Sequence, residues 1–209
     1  ITLITYNRPF HTYKTLEALS KNFHAKDTDL YVYSDGPKGN KDAEQIDLTL
    51  KIIQKFNKSF NKIIVSKSDK NNGTAKNMRD ALKSIFFEHK ASASIILEDD
   101  TLPHPDFFRY CQELLKKYRK DDRVWCISGS NFQNGNWRGD GSYYFGRFPL
   151  LWGWAGWRNI WEKYDFELKE WPVLKDSGML DFIFNDPLEK EYWSDIWENL
   201  FSNGEPDTW

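Results

Sequence analysis

The chain has 209 residues, with 29 Lys and Arg against 31 Asp and Glu, for a formal net charge of −2. That length holds one domain with a real core, and the near-neutral charge argues against a protein that works by neutralising nucleic-acid phosphates. With 40% hydrophobic and 29% charged residues the chain is not disordered, and its longest nearly apolar run, Pro149 to Trp157, is far too short to span a bilayer.

In chain order, Ile1 to Thr5 reads as a strand. Pro9 then opens a helix, since its fixed φ and missing donor suit a first turn, and Leu16, Leu19 and Phe23 follow at helical spacing. Leu30 to Tyr33 is a second strand, ended by Ser34-Asp35-Gly36-Pro37. A helix over 42–56 carries Ile46, Leu50 and Ile53 on one face, and Ile63 to Val65 is a third strand. A helix over 77–87 follows, then a fourth strand from Ser94 to Leu97 that runs straight into Glu98-Asp99-Asp100. A helix over 105–118 and a fifth strand over 124–128 complete the alternation. This pattern predicts an α/β fold, a Rossmann-like, mostly parallel sheet flanked by helices on both faces, with right-handed crossovers.

Beyond residue 130 the character changes. Residues 131–142 are rich in Gly and Asn and read as a loop. Trp152-Gly153-Trp154-Ala155-Gly156-Trp157 follows, then a helical stretch to about Tyr164 and an acidic, aromatic helix over 186–201. Ten Trp, ten Tyr and fifteen Phe are more than a core of this size usually needs. Their flat apolar faces with polar edges suit stacking on sugar rings or bases, although each one taken singly reads equally well as a core filler. Cys111 and Cys126 are too few for a disulfide scaffold or a four-ligand zinc site and read as buried thiols in a reducing compartment, the cytoplasm. The chain opens at Ile1 inside an apolar run, without an initiator Met, and reads as a piece of a longer protein.

In sheets of this kind ligands sit beyond the carboxyl ends of the strands. The segments there are Thr5-Tyr6-Asn7-Arg8, Ser34-Asp35-Gly36 and Glu98-Asp99-Asp100. Three carboxylates at the mouth of a buried strand repel one another and are costly to desolvate. A divalent cation offsets that cost, and a few hard oxygen ligands suit Mg²⁺ or Mn²⁺ completed by phosphates and water. The plainer reading is a solvated acidic turn before the next helix. Asp35 is placed to accept from a base N–H or a ribose hydroxyl, or simply serves a Ser-Asp-Gly-Pro turn. Arg8 either meets a diphosphate or sits on the surface. In Asn71-Asn72-Gly73-Thr74-Ala75-Lys76-Asn77, Gly73 permits close backbone approach and the helix start that follows favours an anion. This is not the phosphate-binding loop of an ATPase, and neither a dinucleotide fingerprint nor a hydrolase elbow occurs in the chain.

Two segments together carry a resemblance. Ile95-Ile96-Leu97-Glu98-Asp99-Asp100-Thr101-Leu102-Pro103-His104-Pro105-Asp106-Phe107-Phe108-Arg109-Tyr110, followed by Val124-Trp125-Cys126-Ile127-Ser128, resembles nucleotide-sugar glycosyltransferases of the GT-A fold, most closely the family of N-acetylglucosaminyltransferase I and its bacterial relatives. Thr5-Tyr6-Asn7-Arg8-Pro9 and Trp152-Gly153-Trp154-Ala155 are similar to the bacterial group, and the likeness is strong over 1–165 and weak after that. The resemblance implies an inverting, metal-dependent transfer of a sugar from a UDP-sugar donor to a carbohydrate or other hydroxyl acceptor, with Mn²⁺ or Mg²⁺ as cofactor. It implies Asp100 as the direct metal ligand, and Glu98 and Asp99 at the ribose, the sugar or the metal's waters. Asp35 reads the uracil, Thr5 and Arg8 line the nucleotide pocket, and Asn71, Gly73 and Asn77 border the ribose and diphosphate. Gly153 and Trp154 border the donor sugar and the acceptor. On this reading 1–130 is the nucleotide-sugar-binding part and 131–209 the acceptor-side part of one domain. An inverting transfer needs a base for the acceptor hydroxyl. In the relatives that base lies in a Trp-Asp segment, whereas this sequence stops at Trp209, leaving Asp207 as a substitute candidate. Two other classes compete. A sugar nucleotidyltransferase would want a Gly-rich basic loop after the first strand, and a non-catalytic carbohydrate-binding module would leave the three acids unexplained.

Overall fold

In the computed structural model the described residues are 1–137 and 139–204. Six strands form one sheet: β1 (Thr2–Thr5), β2 (Asp29–Ser34), β3 (Lys62–Lys67), β4 (Ala93–Glu98), β5 (Cys126–Ser128) and β6 (Trp154–Trp157), in the order β3-β2-β1-β4-β6-β5. The first four strands are mutually parallel, as the strand–helix alternation predicts. Helices α1 (Pro9–Ser20), α2 (Asn40–Lys55), α3 (Thr74–Lys83) and α4 (Phe107–Tyr118) make the connections. After β6 come α5 (Arg158–Trp161), α6 (Trp171–Asp176), α7 (Met179–Ile183) and α8 (Pro187–Asn203).

The core lies on both faces of the sheet because successive strand residues point to opposite sides. Leu3 and Leu97 face Leu16, Leu19, Phe108 and Cys111 from α1 and α4. Their neighbours Ile4 and Ile96 face Met78, Leu82 and Phe86 on the α3 side. α3 ends in a single wide turn, Ser84–Glu88, which carries Phe86 into this second core. The start of α4 is held from a distance, with the Phe108 N–H donating to Asn22 Oδ1 at 3.0 Å. Asp106, at the N-cap position of α4, makes no side-chain cap.

β6 departs from the sequence reading. The Trp152–Trp157 run carries no alternation and two glycines, so periodicity gives no strand there. The sheet nevertheless takes in Trp154–Trp157 antiparallel between β4 and β5, pairing Ala155 with both Ile95 and Ile127. α6 and α7 are likewise too short for periodicity to reveal. With α8 they close a small satellite core of Trp171, Leu180 and Phe184, backed by Trp193 and Trp197. Cys111 is buried and Cys126 half-buried, and both are free thiols.

Candidate functional site

The register decides what meets at the sheet's carboxyl edge. Thr5 pairs with Ser34, and Ile4 pairs with Glu98, so β1, β2 and β4 end level. The residues after them, from Tyr6, Asp35 and Asp99 onward, are therefore side by side without any loop having to reach.

Asp35 is 5% exposed and its carboxylate is saturated by its own chain. Oδ1 accepts from the Gly36 and Asn72 N–H groups, each at 2.9 Å. Oδ2 accepts from Asn71 Nδ2 at 2.9 Å and from the Gly73 N–H at 3.1 Å. Asn71 Nδ2 also donates to the Gly36 carbonyl at 3.0 Å. Gly36 makes this closeness possible, since a Cβ there would lie 2.4 Å from the Lys70 backbone. The result pins the Asn71–Gly73 loop onto the end of β2 and sets the start of α3, where Gly73 takes φ +82°. Asn77 is buried one turn into that helix, its N–H bonded to the Gly73 carbonyl. A base N–H reaching Asp35 would have to share an oxygen already bonded.

The acid triplet divides by environment. Asp99 is 1% exposed and is held by the Tyr6 N–H at 3.3 Å and by Arg8. Thr15 Oγ1 donates to its carbonyl at 2.8 Å. Burial pushes the Asp99 carboxyl up, opposed by the Arg8 guanidinium and the Tyr6 N–H. Glu98 is pushed up too, first by burial and then by the charges of Asp100 and Asp99. Asp100 is the outward member, its side chain 42% exposed, and Arg8 Nη1 donates to its Oδ2 at 2.8 Å. Arg8 thus forks over Asp99 and Asp100 and supplies a positive charge that the sequence reading assigned to a bound cation. Thr5 is buried, and its Oγ1 has no hydrogen-bond partner among the described residues. Sequence reasoning missed Thr12 and Thr15, whose signal is a pair of buried hydroxyls three residues apart on the apolar face of α1.

Among the described residues no three His, Cys, Asp or Glu side chains converge to cage an ion. The donor set still fits a hard divalent cation of the kind that takes one or two carboxylates and completes its shell with phosphate and water. Asp100 Oδ1 has no protein hydrogen bond among the described residues, and Glu98 lies two residues away on the same strand end.

On the β5 side of Asp100 a cleft of about 1070 Å³ opens between α4, β5 and the 142–150 segment. Asp100, Phe107, Tyr144, Phe148, Trp152 and Gly153 are among its lining. The cleft is zipped shut behind by the Gly129 N–H to Gly153 carbonyl bond at 2.8 Å and by Ser130 Oγ to the Trp152 carbonyl at 2.7 Å. Gly153 takes φ +73°, the turn that lets Trp152 and Trp154 part company. Trp154 goes into the core beside Ile4 and Met78, whereas Trp152 is 61% exposed with its ring edge-on to Phe132 at 5.6 Å. Of the two residues read as bordering the sugar and acceptor, Gly153 lines the cleft, and Trp152 is the tryptophan that joins it there. His104 also lines the cleft, with its Nδ1 3.4 Å from Asp106 Oδ2. Asp207 lies outside the described residues.

Among solved structures the chain is similar to S. aureus TarS, at 20% identity over 56% of this chain and 20% of that one, with a TM-score of 0.43. It is similar to TarS 1–349 in complex with UDP at 18% identity, over 56% of this chain and 32% of that one, with a TM-score of 0.44. A cytidylyltransferase from Leptospira borgpetersenii serovar Hardjo-bovis is similar at 15% identity over 95% of this chain and 70% of that one, with a TM-score of 0.45. The chain therefore spans only a fifth to a third of the TarS chains it matches. No helix among the described residues is long and apolar enough to cross a membrane. The GNT-I family matches residues 15–174, a stretch that holds the Asp35 turn, the Asn71–Asn77 loop, the acid triplet and the Gly153 turn. The chain belongs to the GNT-I family.

Proposed function

We propose that this chain is the donor-binding and cleft-forming part of an inverting glycosyltransferase that uses a UDP-sugar and a divalent cation. The observation that carries the reading is the family match across 15–174, with the acid triplet at the level edge of β1, β2 and β4. In this reading the diphosphate lies over the β1 and β4 ends, between Arg8 and the start of α3, where a positive side chain and a helix N-terminus favour it. Asn71, Gly73 and Asn77 shape the wall on the β2 side. Asp100 would hold Mn²⁺ or Mg²⁺, with Glu98 toward the ion's waters, and the bound ion would neutralise charge on the departing diphosphate. Thr5 Oγ1, buried and without a hydrogen-bond partner among the described residues, is left to a group of the sugar donor. The acceptor, a carbohydrate, enters the aromatic cleft past Trp152 and meets the sugar above Gly153.

Thermal melting of the protein with UDP, with and without Mn²⁺, tests this reading. Stabilisation by UDP that grows when Mn²⁺ is present is the expected result. Stabilisation by an oligosaccharide alone would leave a carbohydrate-binding module, and stabilisation by CTP or UTP but not UDP would leave a nucleotidyltransferase.

A further inference from the structure

The acid motif carries its own counter-ion. Arg8 is the residue just before α1, directly behind β1, and its guanidinium forks over two carboxylates of unequal burial. The Nη2 arm pairs with Asp99, whose side chain is 1% exposed. The Nη1 arm pairs with Asp100, whose side chain is 42% exposed. Releasing the first arm strands a charge in the core, which is costly. Releasing the second exposes both groups to water, where an ion pair contributes little. The fork therefore has a fixed arm and an exchangeable one, and the exchangeable arm sits on the carboxylate that the proposed function assigns to the cation.

We infer that Arg8 is a built-in competitor of the divalent cation, coupling its binding to that of the nucleotide. Without nucleotide, Nη1 holds Asp100. A cation placed there meets a neighbouring positive charge and finds no further carboxylate cage, since no three ligating side chains converge among the described residues. A diphosphate offers Nη1 a doubly anionic partner. The arm swings to it about the Asp99 contact, and Asp100 is freed for the cation as the phosphates arrive to complete its shell. Cation and nucleotide then strengthen each other's binding by one and the same factor, as linkage requires. This inference rests on the UDP-sugar reading above.

The test measures Mn²⁺ binding to the whole chain from the electron paramagnetic resonance signal of free Mn²⁺, with and without UDP, in wild type, Arg8→Gln and Arg8→Lys. In wild type, UDP tightens Mn²⁺ by about tenfold or more. Arg8→Gln without nucleotide binds Mn²⁺ about fivefold or more tightly than wild type, and the UDP-induced gain shrinks toward none. A merely structural loss would weaken Mn²⁺, not tighten it. Arg8→Lys keeps a charge for Asp99 but has no second arm. It moves in the same direction by a smaller factor, and it keeps the question answerable if Asp99 without a partner prevents the Gln variant from folding. Unchanged or weaker nucleotide-free Mn²⁺ binding in Arg8→Lys overturns the inference. If that result comes with normal UDP binding, the inference fails alone; a wild type that binds no UDP, with or without Mn²⁺, overturns the UDP-sugar reading together with it.

Discussion

The carboxyl edge of β1, β2 and β4 and the region beyond β5 are built on opposite principles. At the strand ends nearly every polar group is spoken for: Asp35 accepts four hydrogen bonds, Asp99 is held by Arg8 and Tyr6, and Asp42 accepts from Tyr6 and Asn7. The far region presents apolar surface instead, with Phe145 67% exposed and Phe182 88% exposed. Short side chains and backbone N–H groups on a rigid sheet can hold a fixed ligand shape. Exposed rings on loops and short helices can follow an acceptor of variable shape. On the proposed function, the contrast suits a donor held on the strand-end side and a larger, less rigid acceptor on the other.

The sharpest way to break that contrast is through packing. Phe86 is 1% exposed under the β1–β4 face, whereas Phe182 stands in solvent. Phe86→Ala should cost about 3–5 kcal/mol of unfolding free energy. Phe182→Ala should change it by less than about 0.5 kcal/mol. Denaturant melts of both variants decide the point, and a large cost at Phe182 would mean that the far region is packed against something that the contrast leaves out.

That division also explains what the sequence could and could not tell. Most strands and helices of 1–130 were legible, the helices because each is long enough to show its period, as with Leu16 and Leu19 on α1 or Ile46 and Ile53 on α2, whereas β5 keeps only Cys126–Ser128 of the 124–128 read as a strand. β6 was not, because its place is set by hydrogen bonds to β4 and β5 rather than by any pattern in Trp-Ala-Gly-Trp. The site showed the same limit. Their place after a strand marked the three acids, and Gly73 before a helix start marked the Asn71–Gly73 loop, yet nothing in one dimension reveals that Asp35 binds that loop or that Arg8 spans two of the acids. Such pairings are set by register, across 36 and 92 residues of chain.

Next in size is Asp100→Ala. The residue is exposed and its loss leaves the core untouched, so the melt without ligand should be close to that of wild type. On the proposed cation role of Asp100, UDP affinity in Mn²⁺ should fall on the order of 100-fold, the upper end of what losing even an outer-shell partner costs a metal site. Calorimetric titration of UDP in Mn²⁺ measures this, and an unchanged affinity would remove Asp100 from the cation site.

Asp35→Asn probes the strand-end side more gently. The amide offers one acceptor oxygen and turns an NH₂ toward N–H groups, so two of the four bonds are lost and donors are left facing donors. Stability should drop by about 1–3 kcal/mol. The Asn71–Gly73 loop then loosens, and UDP and free pyrophosphate should weaken alike, by about tenfold, the loss attached to one unmade bond of this size. A loss confined to UDP would instead return Asp35 to the role of base reader that the family resemblance implies.

The smallest effect belongs to the satellite core. Glu198 on α8 accepts from Lys175 Nζ at 2.7 Å, from Trp171 Nε1 at 3.1 Å and from Ser202 Oγ at 3.1 Å. Lys175 first, then Trp171 and Ser202, hold its carboxyl down from the ordinary 4.5 to about 2. A carboxyl with a lowered folded-state pKa binds fewer protons folded than unfolded between those two values. Its contribution is therefore complete above pH 4.5 and is lost as the pH falls from there toward 2. Trp171, Trp193 and Trp197 lie together around this brace, so tryptophan fluorescence reads it directly. Wild type should show a fluorescence change across that acid window which Glu198→Gln lacks, with the two proteins alike at the bottom of the window. An identical acid transition in the Gln variant would mean that α6, α7 and α8 are not braced through Glu198, and that their packing rests on the aromatic cluster and the remaining polar contacts, such as Lys190 with Asp181.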